Sequence, residues 1–266
     1  MPAATALPLP RELVTAVTGV LPRSSTTQRL RLANDLASLY WGLRTAVLVD
    51  CVMLSQAEAE ALGRALNTQN DLCFTVYEPA TEQTIVVNRL LARKTLEKRP
   101  GSGGSACIEV GGREPVLLPH IPPSSASILS AIASYDNSSP FLLLPPVDRP
   151  WDLVPVVGCL LDYPVQYSLA SSENGRNCLG GRELVVVEAQ LMFADLDGAS
   201  RRLLSFSYPA SFADTPEPPL SSPLLVSQLS DLLEERLEAA QATFPELRDS
   251  RIEVVGHRTV LDQVAL

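Results

Sequence analysis

Two stretches, ELVVVEAQLMF (183–193) and RRLLSFSYP (201–209), are strand-like in β-branched content, alternation and length, and Asp197-Gly198 stands between them. Alternation at a period of two residues belongs to a half-buried strand. Glycine supplies the positive φ that a tight reversal demands. The pattern predicts a hairpin of two long strands. A second local signal lies in residues 45–78. Ser55 and Glu58 have the spacing of a capping box, in which each side chain bonds the other's free backbone N–H. Leu62 and Leu66 mark the buried side of the helix that follows. The strand-like runs TAVLVDC and LCFTVYE flank it, so this segment predicts a β-α-β unit with a right-handed crossover.

Thr26 or Thr27 is placed to cap a helix that carries Leu32, Leu36, Leu39 and Leu43, with Gly42 at its stop. TIVVNRL, FLLL and RIEVVGHRTV are predicted strands, and VPVVGCLLDYPVQYSL is one strand, or two broken at Pro164. Residues 100–127 read mostly as loop, punctuated by glycine and proline, and a short helix with Ile128, Leu129 and Ile132 follows. The longest helix, 224–240, sets Leu225, Leu229, Leu232, Leu233 and Leu237 on one face and Asp231, Glu234, Glu235 and Glu238 on the other. Helices alternate with strands at both ends, around a strand-rich middle. That order predicts the α/β class: a mixed sheet flanked by helices, in two or three layers. The expected organisation is an N-terminal segment, 1–25, and a single domain, 26–266, with a flexible loop near 100–123.

Charge narrows the range of partners. The 266 residues carry a formal net charge of −9, unevenly spread: residues 217–249 hold seven acids against two bases. Nucleic-acid phosphates repel such a surface, so no nucleic-acid partner is expected. One basic cluster, RLLARKTLEKR (89–99), runs into PGSGGS and reads as a solvated helix end or strand-to-loop surface. No Lys-Ser or Lys-Thr follows the glycines, which excludes a P-loop. The five cysteines, 51, 73, 107, 159 and 178, are odd in number and sit mostly in apolar runs. They suit small buried hydrophobes in a reducing compartment. The N-terminus lacks the pattern of a secretory signal, and no stretch of 18 apolar residues exists. A soluble, cytoplasmic protein without membrane insertion is the expectation.

Candidate chemistry is sparse. MFADLDGAS (192–200) spells the opening of the haloacid-dehalogenase-type phosphatases, in which the first Asp attacks a phosphoryl group. That chemistry also needs a downstream lysine, and the 66 residues after Ser200 contain none. The motif therefore reads as the hairpin turn. Asp50 follows the apolar run AVLV, and in α/β sheets ligands bind beyond the carboxyl ends of strands. Cys178 lies in the polar loop ENGRNCLGGREL, and a thiolate nucleophile there needs a histidine or an equivalent to lower its pKa. The only histidines are His120 and His257. A Cys178–His257 pair with Asp50 as orienter is one conceivable catalytic set. There is no CxxC, no HxxxH and no clustered Cys/His, so no metal site is read; a carboxylate-only magnesium site would leave little trace. Trp41 reads as core packing, and Trp151, in a proline-rich loop, as exposed.

Three blocks, GLRTAVLVDC (42–51), GCLLDYPVQYSL…NCLGGRELVVV (158–187) and LLSFSYP (203–209), resemble a eukaryotic chromosome-1 open-reading-frame family that carries a domain of unknown function. The resemblance rests on an Asp after the first strand, like Asp50, and on a Tyr-Pro followed by Asn-Cys-Leu, like Tyr163-Pro164 and Asn177-Cys178-Leu179. As known in that family, a glycine precedes the Tyr-Pro and aromatics follow it, where this chain has Asp162 and Gln166-Tyr167-Ser168. The resemblance implies a globular intracellular protein and supplies no catalytic residue, cofactor or partner. Two function classes are left. The first is a non-catalytic α/β domain that binds a small molecule or a protein partner. The second is a hydrolase or transferase using Asp50 at a strand end with Cys178 and His257, or with a carboxylate-bound metal. The absence of every strong catalytic signature favours the first.

Overall fold

Serine side chains start the first two long helices after the proline-rich N-terminus. A computed structural model describes residues 8–69, 72–97, 105–135, 139–173, 175–194, 199–214 and 220–264. In it the Gln28 amide donates to Ser25 Oγ at 3.2 Å, and the Ser25 amide donates to Gln28 Oε1 at 3.0 Å. The cap is therefore Ser25 rather than Thr26 or Thr27. The box at Ser55 forms as read: the Ser55 amide donates to Glu58 Oε2 at 2.9 Å and the Glu58 amide to Ser55 Oγ at 3.4 Å.

In chain order the elements begin with α1 (Arg11–Val20), α2 (Thr26–Tyr40), β1 (Ala46–Leu48), α3 (Gln56–Gln69), β2 (Cys73–Glu78), β3 (Gln83–Asn88) and α4 (Arg89–Glu97). Next come β4 (Ala106–Glu109), β5 (Val116–Leu118), α5 (Pro123–Ala133), β6 (Phe141–Leu143), α6 (Leu153–Leu160) and β7 (Val165–Ser168). The last are β8 (Glu183–Met192), β9 (Ser200–Pro209), α7 (Ala210–Ala213), α8 (Ser222–Gln241) and β10 (Arg251–Val260). The fold is of the α/β class, with the strands of the described residues divided among three sheets. Two compact units are present: residues 9–104 with 120–162, and residues 1–8 with 105–119 and 163–266.

The unit holding residues 9–104 and 120–162 is built on a sheet of order β1-β3-β2-β6. β1 and β2 each pair antiparallel with β3, and β6 runs parallel to β2. β1 and β2 are thus parallel to each other with β3 between them. The β-α-β unit read from 45–78 is a split one, its two strands hydrogen-bonded to the inserted third and not to each other. α3 lies on β2, with Ala59, Leu62 and Leu66 buried, and Thr75 Oγ1 of β2 donates to the Ala59 carbonyl at 2.9 Å. Gly42, with φ +71°, is the stop after α2, and Trp41 beside it is core. The basic run begins with α4, whose Leu91 amide donates to Asn88 Oδ1 at 3.2 Å.

One expectation fails here. VPVVGCLL, a predicted strand, is α6. Leu153, Pro155, Val156, Gly158, Cys159 and Leu160 are all buried, so the helix is apolar on every side and shows no helical period. Pro155 falls in the first turn, where its missing N–H has no intrahelical partner to lose.

The other unit holds two three-stranded sheets, β5-β4-β7 and β10-β8-β9. β4 and β5 lie inside 100–127, where glycine and proline predict mostly loop. They are four and three residues long, too short to show a period, and β4 is completed by parallel pairing with β7, a distant partner. The predicted hairpin is β8–β9, in register from Leu184↔Pro209 to Met192↔Ser200, with a bulge between Ala189 and Gln190. The Phe193 amide donates to the Ala199 carbonyl at 3.1 Å. The tip with Asp195, Asp197 and Gly198 lies outside the described residues, as do residues 98–104 of the predicted flexible loop. α8 packs against β10 and β8 through Leu225, Leu229, Leu233 and Leu237. Among the described residues, no helix is long and apolar enough to cross a membrane.

Candidate functional site

Asp50 leaves the sheet just beyond β1. Its side chain is 60% exposed and meets Arg31 Nη2 of α2 at 3.3 Å. Beside it, Cys51 is half-buried, and its thiol lies 3.9 Å from the Gln28 carbonyl. Ligand atoms of Asp35, Asp50 and Cys51 all fall within 4.8 Å of one another. Burial raises the Cys51 thiol pKa, the Asp35 and Asp50 carboxylates raise it further, and Arg31 partly opposes them. The group is therefore a protonated thiol facing two carboxylates. Two oxygens and a sulfur are a donor set for a borderline cation such as zinc rather than for magnesium.

An ion pair as exposed as Arg31–Asp50 adds little to stability. Asp50→Asn is accordingly expected to unfold in urea within about 0.5 kcal/mol of the parent chain. A larger loss would assign Asp50 a structural role in the turn before α3.

Cys178 and His257 belong to the other unit from Asp50. The Cys178 amide donates to the Val110 carbonyl at 2.9 Å, and its own carbonyl accepts from Arg182 Nε at 2.7 Å. Burial raises the thiol; Arg182 pulls it down, while Glu114 and Glu109 push it up. The net upward shift opposes the thiolate that a nucleophile requires. His257 is exposed on β10 opposite Val186 of β8. The loop of Cys178 reaches the end of β10 at Leu261, whose carbonyl accepts from the Gly181 amide at 2.8 Å. His257 lies four residues earlier, roughly 13 Å back along an extended strand.

Sequence reasoning passed over the buried acids. Glu109, on β4, accepts from Ser168 Oγ (2.7 Å), Ser171 Oγ (2.7 Å) and the amides of Gly111 (2.8 Å), Ala170 (3.0 Å) and Ser171 (3.3 Å). Glu78, on β2, accepts from Thr81 Oγ1 (2.6 Å) and the amides of Thr81 (2.7 Å), Ala80 (3.0 Å) and Val147 (3.0 Å). Burial alone would raise both carboxyls. Hydroxyl and amide donors outweigh it, and both stay below the ordinary glutamate value. Asp162, at φ +64°, likewise accepts from the Thr45 amide (3.0 Å) and hydroxyl (2.7 Å). Glu78 and Glu109 are held ionised, which suits loop anchors and not proton carriers near neutral pH. The only sequence signal for them is an acid set in an apolar strand just before a turn, as in CIEVGG and TVYEPATE.

β10 is thinly covered, with none of its ten residues buried. It pairs with β8 along all ten residues, from Arg251↔Met192 to Val260↔Glu183. Among the described residues no strand lies on its other side. A Cβ on Gly256 would lie 3.1 Å from Ser222 Oγ and 3.6 Å from Val226 Cγ2, so the even-numbered residues of β10 face α8. The odd-numbered residues, Val255 and His257 among them, lie on the face turned away from it. Val255 is 41% and Val260 58% exposed.

Comparison with known families adds one finding. Residues 113–221 match the model of a domain of unknown function, DUF4504. The DUF4504 match covers less than half of the chain. It runs from just before β5 to just before α8, and so includes Cys178 and the β8–β9 hairpin. Asp50, His257 and β10 fall outside it. Two of the blocks that carry the family resemblance, 158–187 and 203–209, lie within the match, and 42–51 precedes it. No curated protein and no solved structure matches the chain.

Proposed function

We propose that this is a non-catalytic α/β protein that binds an extended protein segment along the outer edge of β10. One observation carries the reading: a ten-residue edge strand without proline or lysine, paired on one side only among the described residues, with exposed valines. Edge strands are ordinarily shortened, charged with lysine, bulged or covered, because their open N–H and C=O groups template further pairing. An edge left long and open is the receiving half of strand addition, in which main-chain bonds supply affinity and alternate side chains supply specificity. The saturated state of Glu78, Glu109 and Asp162 supports the non-catalytic part. Cytoplasmic residence fits the five free cysteines, since a reducing compartment keeps thiols unpaired.

Selection of displayed ten-residue peptides against the immobilised protein tests this. Bound peptides should be extended and alternate in hydrophobicity, and Val255→Lys should abolish their binding while leaving the circular dichroism unchanged. Peptides that bind the Lys variant equally well would remove β10 from the reading. A hydrolase or transferase using Asp50 is the second reading, and the convergence of Asp35, Asp50 and Cys51 favours it. A zinc titration separates the two. The enzyme reading requires stoichiometric uptake that is lost in Asp50→Asn, and the binding reading expects none in either protein.

A further inference from the structure

We infer that the partner strand at β10 is β10 of a second copy of this chain, running antiparallel across a two-fold axis at Val255. This rests on the reading of β10 as a strand-addition edge and names its occupant. The argument is one of register. A two-fold axis perpendicular to a sheet keeps each side chain on its own face, so residues can oppose each other only when both have odd numbers or both have even numbers. Among such registers, the one centred on Val255 sets Glu253 opposite His257 of the second copy, and His257 opposite its Glu253. Val255 then meets Val255 on the face turned away from α8. On the α8 face, Val254 meets Gly256, which has no side chain to oppose it.

Neighbouring registers are worse. Centring on Val254 sets Val255 opposite Glu253, and centring on Glu253 puts two carboxylates against each other. Like charges placed directly opposite destabilise a pair, while opposite charges and β-branched pairs support it. Centring on Gly256 leaves Glu253 facing Thr259 and wastes the apolar contact of Val255 on His257. In the Val255 register residues 251–259 all pair, giving a six-stranded antiparallel sheet of order β9-β8-β10-β10-β8-β9. Arg258 keeps its own-chain ion pairs to Glu183 and Asp214, so the interface leaves that charge engaged.

Sedimentation equilibrium at tens of micromolar, together with cysteine trapping, tests the proposal. The wild-type chain should sediment with the mass of two chains. Val255→Lys, which sets two ammonium groups against each other, should weaken association at least tenfold and keep the native circular dichroism. Opposed residues in an antiparallel pair bring their Cβ atoms to about 4.5–5.5 Å, close to the separation a disulfide spans. Val255→Cys should therefore cross-link to itself on mild oxidation, well above the background from Cys51 and Cys178 in wild type. Glu253→Cys alone should not, whereas Glu253→Cys mixed with His257→Cys should yield the mixed dimer. A monomeric wild type, or Val255→Cys cross-linking no faster than wild type, overturns the self-pairing. If a monomeric chain still captures peptides in a way that Val255→Lys abolishes, strand addition at β10 stands and only its occupant is wrong. If it captures none, both readings fall.

Discussion

Glu109→Ala is expected to lower the unfolding free energy by about 3–5 kcal/mol, the range for removing one member of a buried, charge-assisted network. Glu109 is 8% exposed, and its carboxylate holds two hydroxyls and three amides from Gly111, from Ser168 at the end of β7 and from the segment after it. Alanine removes all five acceptor contacts and leaves the donors to share whatever water reaches them. Glu109→Gln keeps the volume but turns an NH2 group toward those donors, so its loss should be intermediate. Urea titrations followed by circular dichroism measure both. Acid provides an independent readout. The folded carboxyl of Glu109 titrates below the unfolded one, so its contribution is complete above the unfolded value of about 4.3 and is lost as pH falls through the lower, folded value. Wild-type stability should therefore drop on acidification below about pH 5, and the Glu109→Ala curve should be flatter there. Equal slopes in the two proteins would show that the network does not hold the charged form.

Gly63→Ala should destabilise by about 3 kcal/mol, against the usual sign of that exchange in a helix. In an open helix interior alanine is favoured over glycine by about 0.5–1 kcal/mol. At residue 63 of α3, however, a Cβ would sit 2.3 Å from the Pro140 carbonyl oxygen and 2.6 Å from Thr75 Oγ1. The carbonyl cannot swing away, because it accepts from the Thr75 amide at 2.9 Å and so ties β2 to the start of β6. Relief would require α3 to lift from the sheet, the overpacking penalty of about 1–3 kcal/mol at its upper end. Gly19, in α1, meets nothing within 4 Å on the same test, and Gly19→Ala should stabilise by about 0.5 kcal/mol. Thermal melts of the two variants check the contrast. Equal effects would mean that helix propensity, and not the close approach of α3, governs residue 63.

What the sequence disclosed and what it hid divide by range. The Ser55–Glu58 box and the β8–β9 hairpin are written within a few residues of themselves, and both are where the pattern puts them. α6 was hidden because a helix buried on all sides has no stripe to reveal it. β4 was hidden because four residues show no period and one of its two partners, β7, lies far along the chain. The same holds for chemistry. Asp50 was visible from its place after an apolar run, but the nearness of Arg31 and Asp35 depends on how α2 docks. The work of Glu109 and Glu78 was invisible because most of their donors are backbone amides, which no residue type announces.

The insertion of β3 between β1 and β2 also sets a timetable for synthesis. β2 and β3 are joined by a four-residue turn and can zip together as soon as both exist, a local event. β1 emerges first, yet every ladder bond it makes is to β3, so it must wait for residues 83–88 to leave the ribosome. Until then α2, β1 and α3 form an N-terminal stretch with apolar faces and no sheet to close them, and it is this interval, before residue 88 is free, that chaperones would have to guard.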